Sequence, residues 1–291
     1  MDSTFHRISI IGLGLMGGSW GLALKRKGCQ GVCIGTDRPE ILERAVASGA
    51  IDEAREDVAD AVSDADLVIL ATAVGGILDL LPRLSRAVSP RALVTDVGST
   101  KRLICQRARE AFGKDPLFLG GHPLAGKEHS GLENADGSLF ESASYALTPL
   151  SPDDLSDERV RAFFDLVKGV GARPFVTDPV AHDRAVAYLS HLPQLLSSGL
   201  ASLVAEESAE GFIPVELAGS GLRDMTRLAE SPYALWRDIC LTNIENIQSA
   251  LESLIQKLES MKLHLSDREL EHEFKQAQKL RTRLRGAQPP D

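Results

Sequence analysis

Cysteine is scarce in this 291-residue chain, and its few positions are not arranged as ligands. Cys29, Cys33, Cys105 and Cys240 form no CxxC pair and no Cys/His grouping of the kind that binds zinc. The spacing also lacks the disulfide framework of a small secreted domain. We therefore expect no metal site, four free thiols and a cytoplasmic location.

Long hydrophobic runs and excess positive charge are missing as well. The most apolar stretch, residues 67–81, contains Asp79 and two glycines and is shorter than the roughly 20 apolar residues of a membrane span. The 32 Lys and Arg residues face 41 Asp and Glu, a net charge of −9 that disfavours broad binding to nucleic acid or an anionic membrane. The N-terminus shows no secretory signal pattern. These absences leave a small molecule as the expected partner.

Strand and helix patterns divide the chain into two regions. Short β-branched runs alternate with helical patterns over residues 1–178, which predicts an α/β domain with a doubly wound, largely parallel sheet. Helical patterns dominate residues 179–291, so we predict a second, all-helical domain there. The strands are expected at residues 7–12, 31–36, 66–72, 92–97, 117–121, 145–148 and 173–177.

One predicted helix of the second region carries an apolar seam with alternating spacings of three and four residues. The seam consists of Ile244, Ile247, Leu251, Leu254, Leu258 and Met261. It fits either a core helix packed within the chain or an interface between subunits. Further on, a capping box from Ser266 to Glu269 predicts the start of a last helix.

A glycine motif follows the first predicted strand. Residues 12–17 read GLGLMG, a GxGxxG pattern between a strand and a helix. Gly12 permits a tight turn and Gly14 lets a pyrophosphate approach the backbone, while Gly17 lets the helix pack on the strand. The start of the helix then faces the negative charge of the phosphates. This context predicts a Rossmann-type dinucleotide-binding domain.

The acidic residue at the end of the second strand indicates which dinucleotide binds. The carboxylate of Asp37 can accept hydrogen bonds from ribose hydroxyls and repels a 2′-phosphate. NAD is therefore favoured, and NADP is less favoured although the neighbouring Arg38 could pair with its phosphate. The expected cofactor contacts are Gly12, Leu13, Gly14, Leu15, Met16, Gly17, Asp37, Arg38, Thr72, Val74 and Gly98.

Three further strands end in segments that suit a catalytic cleft, at residues 71–74, 96–101 and 120–126. Ligands of such sheets bind beyond these carboxyl ends. His122 lies between glycines and a proline, on what we expect to be a rigid loop, and an ordinary imidazole pKa near 6.5 suits a general base. Ser99 can hydrogen-bond the same substrate hydroxyl, and it can also cap the following helix. We predict His122 and Ser99 as catalytic residues.

Motifs at five places make the chain resemble the prephenate and arogenate dehydrogenases of tyrosine biosynthesis. They lie at residues 12–19, 96–101, 122–131, 190–193 and 219–227. The resemblance spans about residues 6–260. It implies an oxidative decarboxylation in which a cyclohexadienol gives hydride from C4 to NAD⁺, its C4 hydroxyl becomes a carbonyl, and the ring carboxylate leaves as CO₂. It also implies a homodimer built through the helical domain.

The resemblance implies roles for individual residues. His122 would accept the proton of the C4 hydroxyl, Ser99 would share that hydrogen bond, and Arg223 would bind a substrate carboxylate. The remaining expected substrate contacts are His191, Gln194, Trp236 and Lys127. Packing roles stay open for His191 and Trp236, as does an ion pair with Asp224 or Glu216 for Arg223.

Two positions depart from the family pattern. Many prephenate-using members carry histidine where this chain has the neutral Gln194, which favours the zwitterionic side chain of arogenate over the second anionic group of prephenate. We still place prephenate first, because Lys127, Arg223 and Arg227 can pair with that group. Ala73 stands where members often carry proline. We expect no third, regulatory domain, and tyrosine could still inhibit by competing at the active site.

Two alternatives are weighed against this assignment. The β-hydroxyacid dehydrogenases share the glycine motif but use a lysine in the first long helix of their second domain, and residues 179–205 contain no lysine. A non-catalytic NAD-binding sensor module would keep the glycine motif and Asp37. It would not need Ser99, His122, His191 and Arg223 together.

Overall fold

The computed structural model describes residues 4–127 and 129–286, and in this part of the chain eight strands form one sheet. The order is β3-β2-β1-β4-β5-β6-β7-β8, and all neighbours are parallel except β6 and β7. The ends of the two predicted domains, residues 1–3 and 287–291, lie outside the described residues. The strands are β1 Arg7–Ile11, β2 Val32–Thr36, β3 Glu53–Ala54, β4 Leu67–Leu70, β5 Leu93–Asp96, β6 Leu117–Pro123, β7 Ser144–Pro149 and β8 Arg173–Val176.

Helices pack on the sheet over residues 15–169, and α-helices follow one another after the last strand, β8. Six belong to the sheet region: α1 Leu15–Arg26, α2 Pro39–Ala47, α3 Val58–Val62, α4 Val74–Leu84, α5 Arg102–Phe112 and α6 Glu158–Gly169. Six follow β8: α7 Pro179–Val186, α8 Leu192–Ala209, α9 Ser220–Thr226, α10 Tyr233–Thr242, α11 Ile244–Leu263 and α12 Arg268–Gly286. Among the helices of the described residues, none has both the length and the apolar character needed to cross a membrane.

The doubly wound sheet followed by a helical region confirms the predicted fold class. Two local predictions need correction. The two-residue strand β3 was not predicted, because it is too short to show an alternating pattern. Strand β6 extends to Pro123, so His122 lies on a strand paired with Ala146 rather than on a loop.

Apolar residues on both faces of the sheet explain why the strands read as continuous hydrophobic runs. Ile8 and Ile10 of β1 pack with Trp20 on one face, whereas Ile11 belongs to the core on the opposite face. Trp20 contacts Phe140, with ring centroids 5.2 Å apart. These two cores hold the sheet between its helices. The strand order changes direction between β1 and β4, and such a switch point opens a crevice at the carboxyl ends of the strands.

The apolar seam on α11 is covered only near its beginning. Ile247 is buried and packs in a small core with Ala187 and Ala250. Further along the same helix, Leu258 is 49% exposed. Ile244, the first residue of the helix, is equally exposed, so the core interpretation applies around Ile247 and the interface interpretation stays a prediction.

The start of α12 differs from the predicted capping box. The Glu269 N–H donates to Asp267 Oδ1 at 2.9 Å, so Asp267 caps the helix in place of Ser266. Both side chains are N-cap types, and the helix simply begins one residue later than the pattern suggested.

Candidate active site

The glycine motif adopts the backbone geometry that a dinucleotide requires. Gly12 has a φ of +94°, and a Cβ on Gly17 would lie 1.9 Å from the Gly12 oxygen. A Cβ on Gly14 would meet no atom within 4 Å. Glycine is thus required at the turn and at the helix contact, and the open space at Gly14 lies at the N-terminus of α1 where a pyrophosphate can approach. These residues fit a dinucleotide.

Asp37 lies beside this turn at the end of β2. Its Oδ2 accepts a hydrogen bond from the Leu13 N–H at 2.7 Å, and its Oδ1 accepts one from the Arg38 N–H at 2.7 Å. Each carboxylate oxygen keeps a further lone pair for ribose hydroxyls. The Arg38 side chain is 79% exposed. The carboxylate is therefore held in place by backbone groups, and the Arg38 Nε lies 3.9 Å from its Oδ1.

A cavity of about 270 Å³ lies next to this motif, between the strand ends and α10. Pro232, Leu235 and Ile239 form the wall contributed by the helical region. Nine predicted site residues line the cavity: Gly14, Leu15, Met16, Thr72, Val74, Gly98, Ser99, His122 and Lys127. Outside its lining lie Gly12, Leu13, Gly17, Asp37, Arg38, His191, Gln194, Arg223 and Trp236.

His122 belongs to a chain of three buried side chains. Its Nδ1 lies 2.9 Å from Nε2 of His182, and Nδ1 of His182 lies 2.8 Å from Oδ1 of Asp183. A carboxylate only accepts, so His182 donates through Nδ1, and a neutral His182 then accepts the Nδ1–H of His122 at its Nε2. The lone pair of His122 therefore resides on Nε2, which is the nitrogen that can act as a base.

Asp183 is held by the start of α5 as well as by His182. The N–H groups of Lys101 and Arg102 donate to its carboxylate at 2.6 and 2.9 Å. The helix dipole favours an anion at this position. This contact also corrects the expected cap of α5: the helix begins at Arg102, and Asp183 binds its first N–H groups, whereas Ser99 lies three residues earlier and lines the cavity.

The environment of His122 changes the expected acid–base behaviour. Burial lowers the pKa of His122 well below its ordinary value, and the neighbouring His182, Lys101 and His191 lower it further. Removing a charged imidazole from water is unfavourable, and a charge on His122 would also be repelled by the Lys101 ammonium and by either neighbouring imidazole whenever that ring is protonated. The ring is therefore neutral, and available as a base, at pH values well below neutrality.

A buried ion pair joins the Ser99 loop to the strand of His122. Lys101 and Asp96 are both fully buried and pair with each other. Lys101 Nζ also donates to the Gly121 oxygen at 2.7 Å, and Asp96 accepts the N–H groups of Gly121 and Gly98. The peptide before His122 and the loop before Ser99 are thus held by one polar cluster.

His191 and Trp236 carry two buried N–H groups without a partner among the described residues. His191 lies in a π-helical turn, Ala187–His191, rather than within the long helix that was predicted. Its Nδ1 accepts from Asn243 Nδ2 at 3.3 Å, which leaves the proton on Nε2. Nε2 of His191 and Nε1 of Trp236 are both buried and unpartnered there, and the two rings lie 5.8 Å apart. Burial lowers the pKa of His191 to about 4.

The other predicted substrate residues have partners within the chain. Gln194 Nε2 donates to the Leu228 oxygen at 2.8 Å. Lys127 Nζ donates to the Asn134 oxygen at 3.0 Å. Arg223 lies on the short helix α9, where its guanidinium donates to the Ala218 oxygen at 3.4 Å. These contacts leave the substrate roles of Gln194, Lys127 and Arg223 as predictions.

Sequence reasoning missed the residues that support the base. His182 and Asp183 lie 60 residues beyond His122 and come from the helical region, so no local motif joins them. Their only local signal is an adjacent His-Asp pair, followed by Arg184, in a short helix whose other residues are apolar. Lys101 and Asp96 were noted only as parts of a strand-end motif, and their complete burial was not visible in the pattern.

Together, the sheet topology, the glycine turn and the buried imidazole at the strand ends define a dinucleotide-dependent dehydrogenase. Comparison with protein families identifies the particular group. The model of the prephenate dehydrogenase nucleotide-binding domain matches residues 20–176, and that of the prephenate dehydrogenase dimerization domain matches residues 178–280. The chain therefore belongs to the prephenate dehydrogenase family, as the resemblance implied.

Individual relatives agree with this membership. Prephenate dehydrogenase of Lactococcus lactis is 34% identical and covers 97% of this chain and 79% of its own length. Cyclohexadienyl dehydrogenase of Zymomonas mobilis is 30% identical over 97% of both chains. The crystal structure of Aquifex aeolicus prephenate dehydrogenase with hydroxyphenyl propionate and NAD⁺ is 32% identical, with a TM-score of 0.85 over 98% of this chain and 97% of that chain. Membership of this enzyme family favours catalysis over a sensor role.

Proposed function

We propose that this chain catalyses the NAD⁺-dependent oxidative decarboxylation of prephenate to 4-hydroxyphenylpyruvate in tyrosine biosynthesis. The observation that carries the proposal is His122, a neutral imidazole that lines the cavity and whose basic Nε2 is assigned by the chain through His182 to Asp183. Family membership and the relatives named prephenate dehydrogenase support the choice of substrate.

The reaction requires removal of a proton and a hydride from the same carbinol. His122 Nε2 accepts the proton of the C4 hydroxyl, and Ser99 shares that hydrogen bond and orients the hydroxyl. NAD⁺, when bound, supplies the acceptor for the C4 hydride. The electrons of the C–CO₂⁻ bond then enter the ring, CO₂ leaves, and the ring becomes aromatic. The buried His182 and Asp183 hold the proton on Nδ1 of His122, so that Nε2 stays free for the substrate.

The binding of NAD⁺ rests on the fit of the glycine turn and on Asp37. The open space at Gly14 suits the pyrophosphate, and the remaining lone pairs of Asp37 suit two ribose hydroxyls. NAD⁺ in the Aquifex aeolicus relative supports the same assignment. NADP is less suitable because its 2′-phosphate would approach this carboxylate.

The substrate carboxylates require cationic or N–H donors on the side of the cavity opposite the cofactor. We assign this role to Lys127, which lines the cavity, and to Arg223 and the unpartnered N–H groups of His191 and Trp236, which lie outside its lining. Gln194 contributes a neutral amide whose N–H already binds the Leu228 oxygen. Tyrosine, which resembles the aromatic product, would compete for the same groups.

A second candidate substrate is arogenate. Gln194 favours it, because a neutral amide does not offer the charge that prephenate's second anionic group requires. The relative named cyclohexadienyl dehydrogenase supports this alternative. The mechanism at C4 is unchanged, and only the groups that meet the side chain differ.

Turnover of both substrates in parallel tests the proposal. Purified protein with NAD⁺ is given prephenate or arogenate, and NADH formation is followed. A higher kcat/KM with prephenate supports the proposal. A higher value with arogenate moves the assignment to the amino acid, and absence of NADH with either substrate contradicts the proposed activity.

We also infer that the functional unit is a homodimer in the cytoplasm. The matched dimerization domain and the exposed half of the α11 seam support a dimer. All four cysteines are free and three of them are buried, which suits a reducing compartment. Leu258→Glu is expected to shift sedimentation from dimer to monomer, whereas Gln256→Glu on the same helix should not. Equal behaviour of the two variants would count against the seam as the interface.

A further inference from the structure

Helix α4 starts at the edge of the cavity and has no cap of its own. Its N-cap residue is Ala73, which cannot accept a hydrogen bond through its side chain. An N-cap side chain normally accepts from the second or third helical N–H, and Gly75 is the second residue of this helix. The N–H of Gly75 therefore needs an acceptor from elsewhere.

Asp238 of α10 provides that acceptor from the helical region. Its Oδ2 accepts the Gly75 N–H at 2.9 Å, across 163 residues of sequence. Asp238 is only 9% exposed, and its Oδ1 contacts the Arg237 guanidinium at 3.1 Å. A negative charge at the start of a helix is favourable. The missing cap is thus supplied by a different region of the molecule.

The fit between the two helices depends on glycine at position 75. A Cβ there would lie 2.7 Å from Asp238 Oδ2, so the carboxylate would have to shift away from the Gly75 N–H. A second polar contact follows one turn later, where the hydroxyls of Thr242 and Thr100 lie 2.8 Å apart. Helix α10 is therefore docked both on the start of α4 and on the loop that carries Ser99.

Both docked helices line the cavity. Val74, next to Gly75, lines it from the strand ends, and Leu235 and Ile239, on either side of Asp238, line it from α10. We propose that Asp238 is a positioning residue that docks α10 on the uncapped start of α4 and so sets the distance between the cofactor side and the substrate side of the cavity. This inference rests on the proposed dehydrogenase function.

Substitution of Asp238 tests the inference against a purely structural role. Asp238→Ala is expected to raise the KM for the cyclohexadienyl substrate about tenfold, while the Kd for NAD⁺ changes less than about twofold, because the glycine turn lies wholly in the other region. Asp238→Asn keeps an acceptor oxygen and should restore KM to within about threefold of the unchanged protein.

Two further variants distinguish loss of the contact between Asp238 and Gly75 from loss of a helix cap in general. Asp57→Ala removes a cap of α3 within the sheet region, where Asp57 accepts the N–H groups of Ala59 and Asp60, and it should leave KM unchanged. Gly75→Ala displaces Asp238 from the opposite side, and should raise KM as Asp238→Ala does. The double variant should be no worse than either single one, because both remove the same contact.

Amide hydrogen exchange at Gly75 reports the contact without turnover. Faster exchange in Asp238→Ala together with the raised KM supports the proposal. Faster exchange with an unchanged KM, or equal KM changes in Asp238→Ala and Asp57→Ala, overturns it. If the unchanged protein oxidises neither substrate, the proposed function fails. The docking is then tested by measuring the binding of hydroxyphenyl propionate in the presence of NAD⁺. Asp238→Ala should weaken this binding.

Discussion

The two halves of the cavity are built in different ways. The cofactor half consists mainly of backbone at the strand ends, where Gly12, Gly14 and Gly17 shape the turn after β1 and Asp37 is held by neighbouring N–H groups. The base half consists of side chains, with His122 from the sheet and Asp183 from the helical region. The first half depends on the absence of Cβ atoms, and the second depends on where each proton resides. Substitutions should therefore separate binding from chemistry.

Among substitutions that leave His122 itself in place, the largest expected effect comes from changing the acceptor at the end of the histidine chain. In Asp183→Asn one side of the carboxylate becomes an NH₂ group, yet the Lys101 N–H, the Arg102 N–H and His182 all donate to that carboxylate. If the NH₂ group faces His182, both histidines change tautomer and the proton moves to Nε2 of His122, where a base is needed; if it faces Arg102, that N–H loses its acceptor and the negative charge beside His182 is lost. We expect kcat to fall about 10²-fold or more, within the range of general base catalysis.

The control for this variant is Asp178→Asn. Asp178 caps α7 through the N–H groups of Val180 and Ala181, and asparagine caps a helix equally well. Stopped-flow NADH formation measures kcat, and fluorescence titration measures the Kd for NAD⁺. A Kd that rises as much as kcat falls in Asp183→Asn would remove the distinction between the two halves.

The buried imidazole of His191 makes the base half sensitive to acid. Its folded pKa of about 4 lies below the unfolded value of 6.5, so its contribution to stability is complete above pH 6.5 and is lost as the pH falls toward 4. The 2.5-unit difference corresponds to about 3 kcal/mol. Urea unfolding between pH 7 and pH 4 should therefore show a shallower loss of the free energy of unfolding in His191→Gln. If the free energy of unfolding depends on pH equally in the unchanged protein and in His191→Gln, then His191 does not cause the loss of stability in acid.

A smaller effect is expected from the acidic residue of the cofactor half. Asp37→Asn removes the charge that repels a 2′-phosphate, and the exposed Arg38 can then pair with it. The KM for NADP⁺ is expected to fall about tenfold while kcat with NAD⁺ stays within about threefold. Adding Arg38→Ala should abolish the gain. An unchanged KM for NADP⁺ would mean that Asp37 does not control the choice of cofactor.

The smallest effect is the response of turnover to mild acid. Because burial and the neighbouring His182, Lys101 and His191 hold the pKa of His122 well below its ordinary value, the base stays unprotonated as the pH falls. We expect kcat/KM to change less than about twofold between pH 7.5 and pH 6.5, as the neutral form is retained. A fall of kcat/KM with a midpoint near 6.5 would contradict the neutral buried imidazole.

The contrast between a cofactor half built from local backbone and a base half built from distant side chains also explains how much the sequence could predict. The glycine turn, Asp37 and most strands follow from local patterns, since a motif of six residues contains its own geometry. The support of His122 does not, because His182 and Asp183 meet it only through the packing of α7 against the start of α5. The contact of Asp238 with Gly75 was equally invisible, as it joins residues 163 positions apart. Long-range side-chain contacts require the fold itself.

The most direct test of the account is the effect of His122→Asn on chemistry and on cofactor binding, measured on one preparation. Asparagine fills a similar volume but offers no basic nitrogen. We predict that kcat for NADH formation falls about 10²- to 10⁴-fold while the Kd for NAD⁺ stays within about twofold. Turnover within tenfold of the unchanged protein, or a loss of NAD⁺ binding that matches the loss of turnover, would contradict the assignment of His122 as the base.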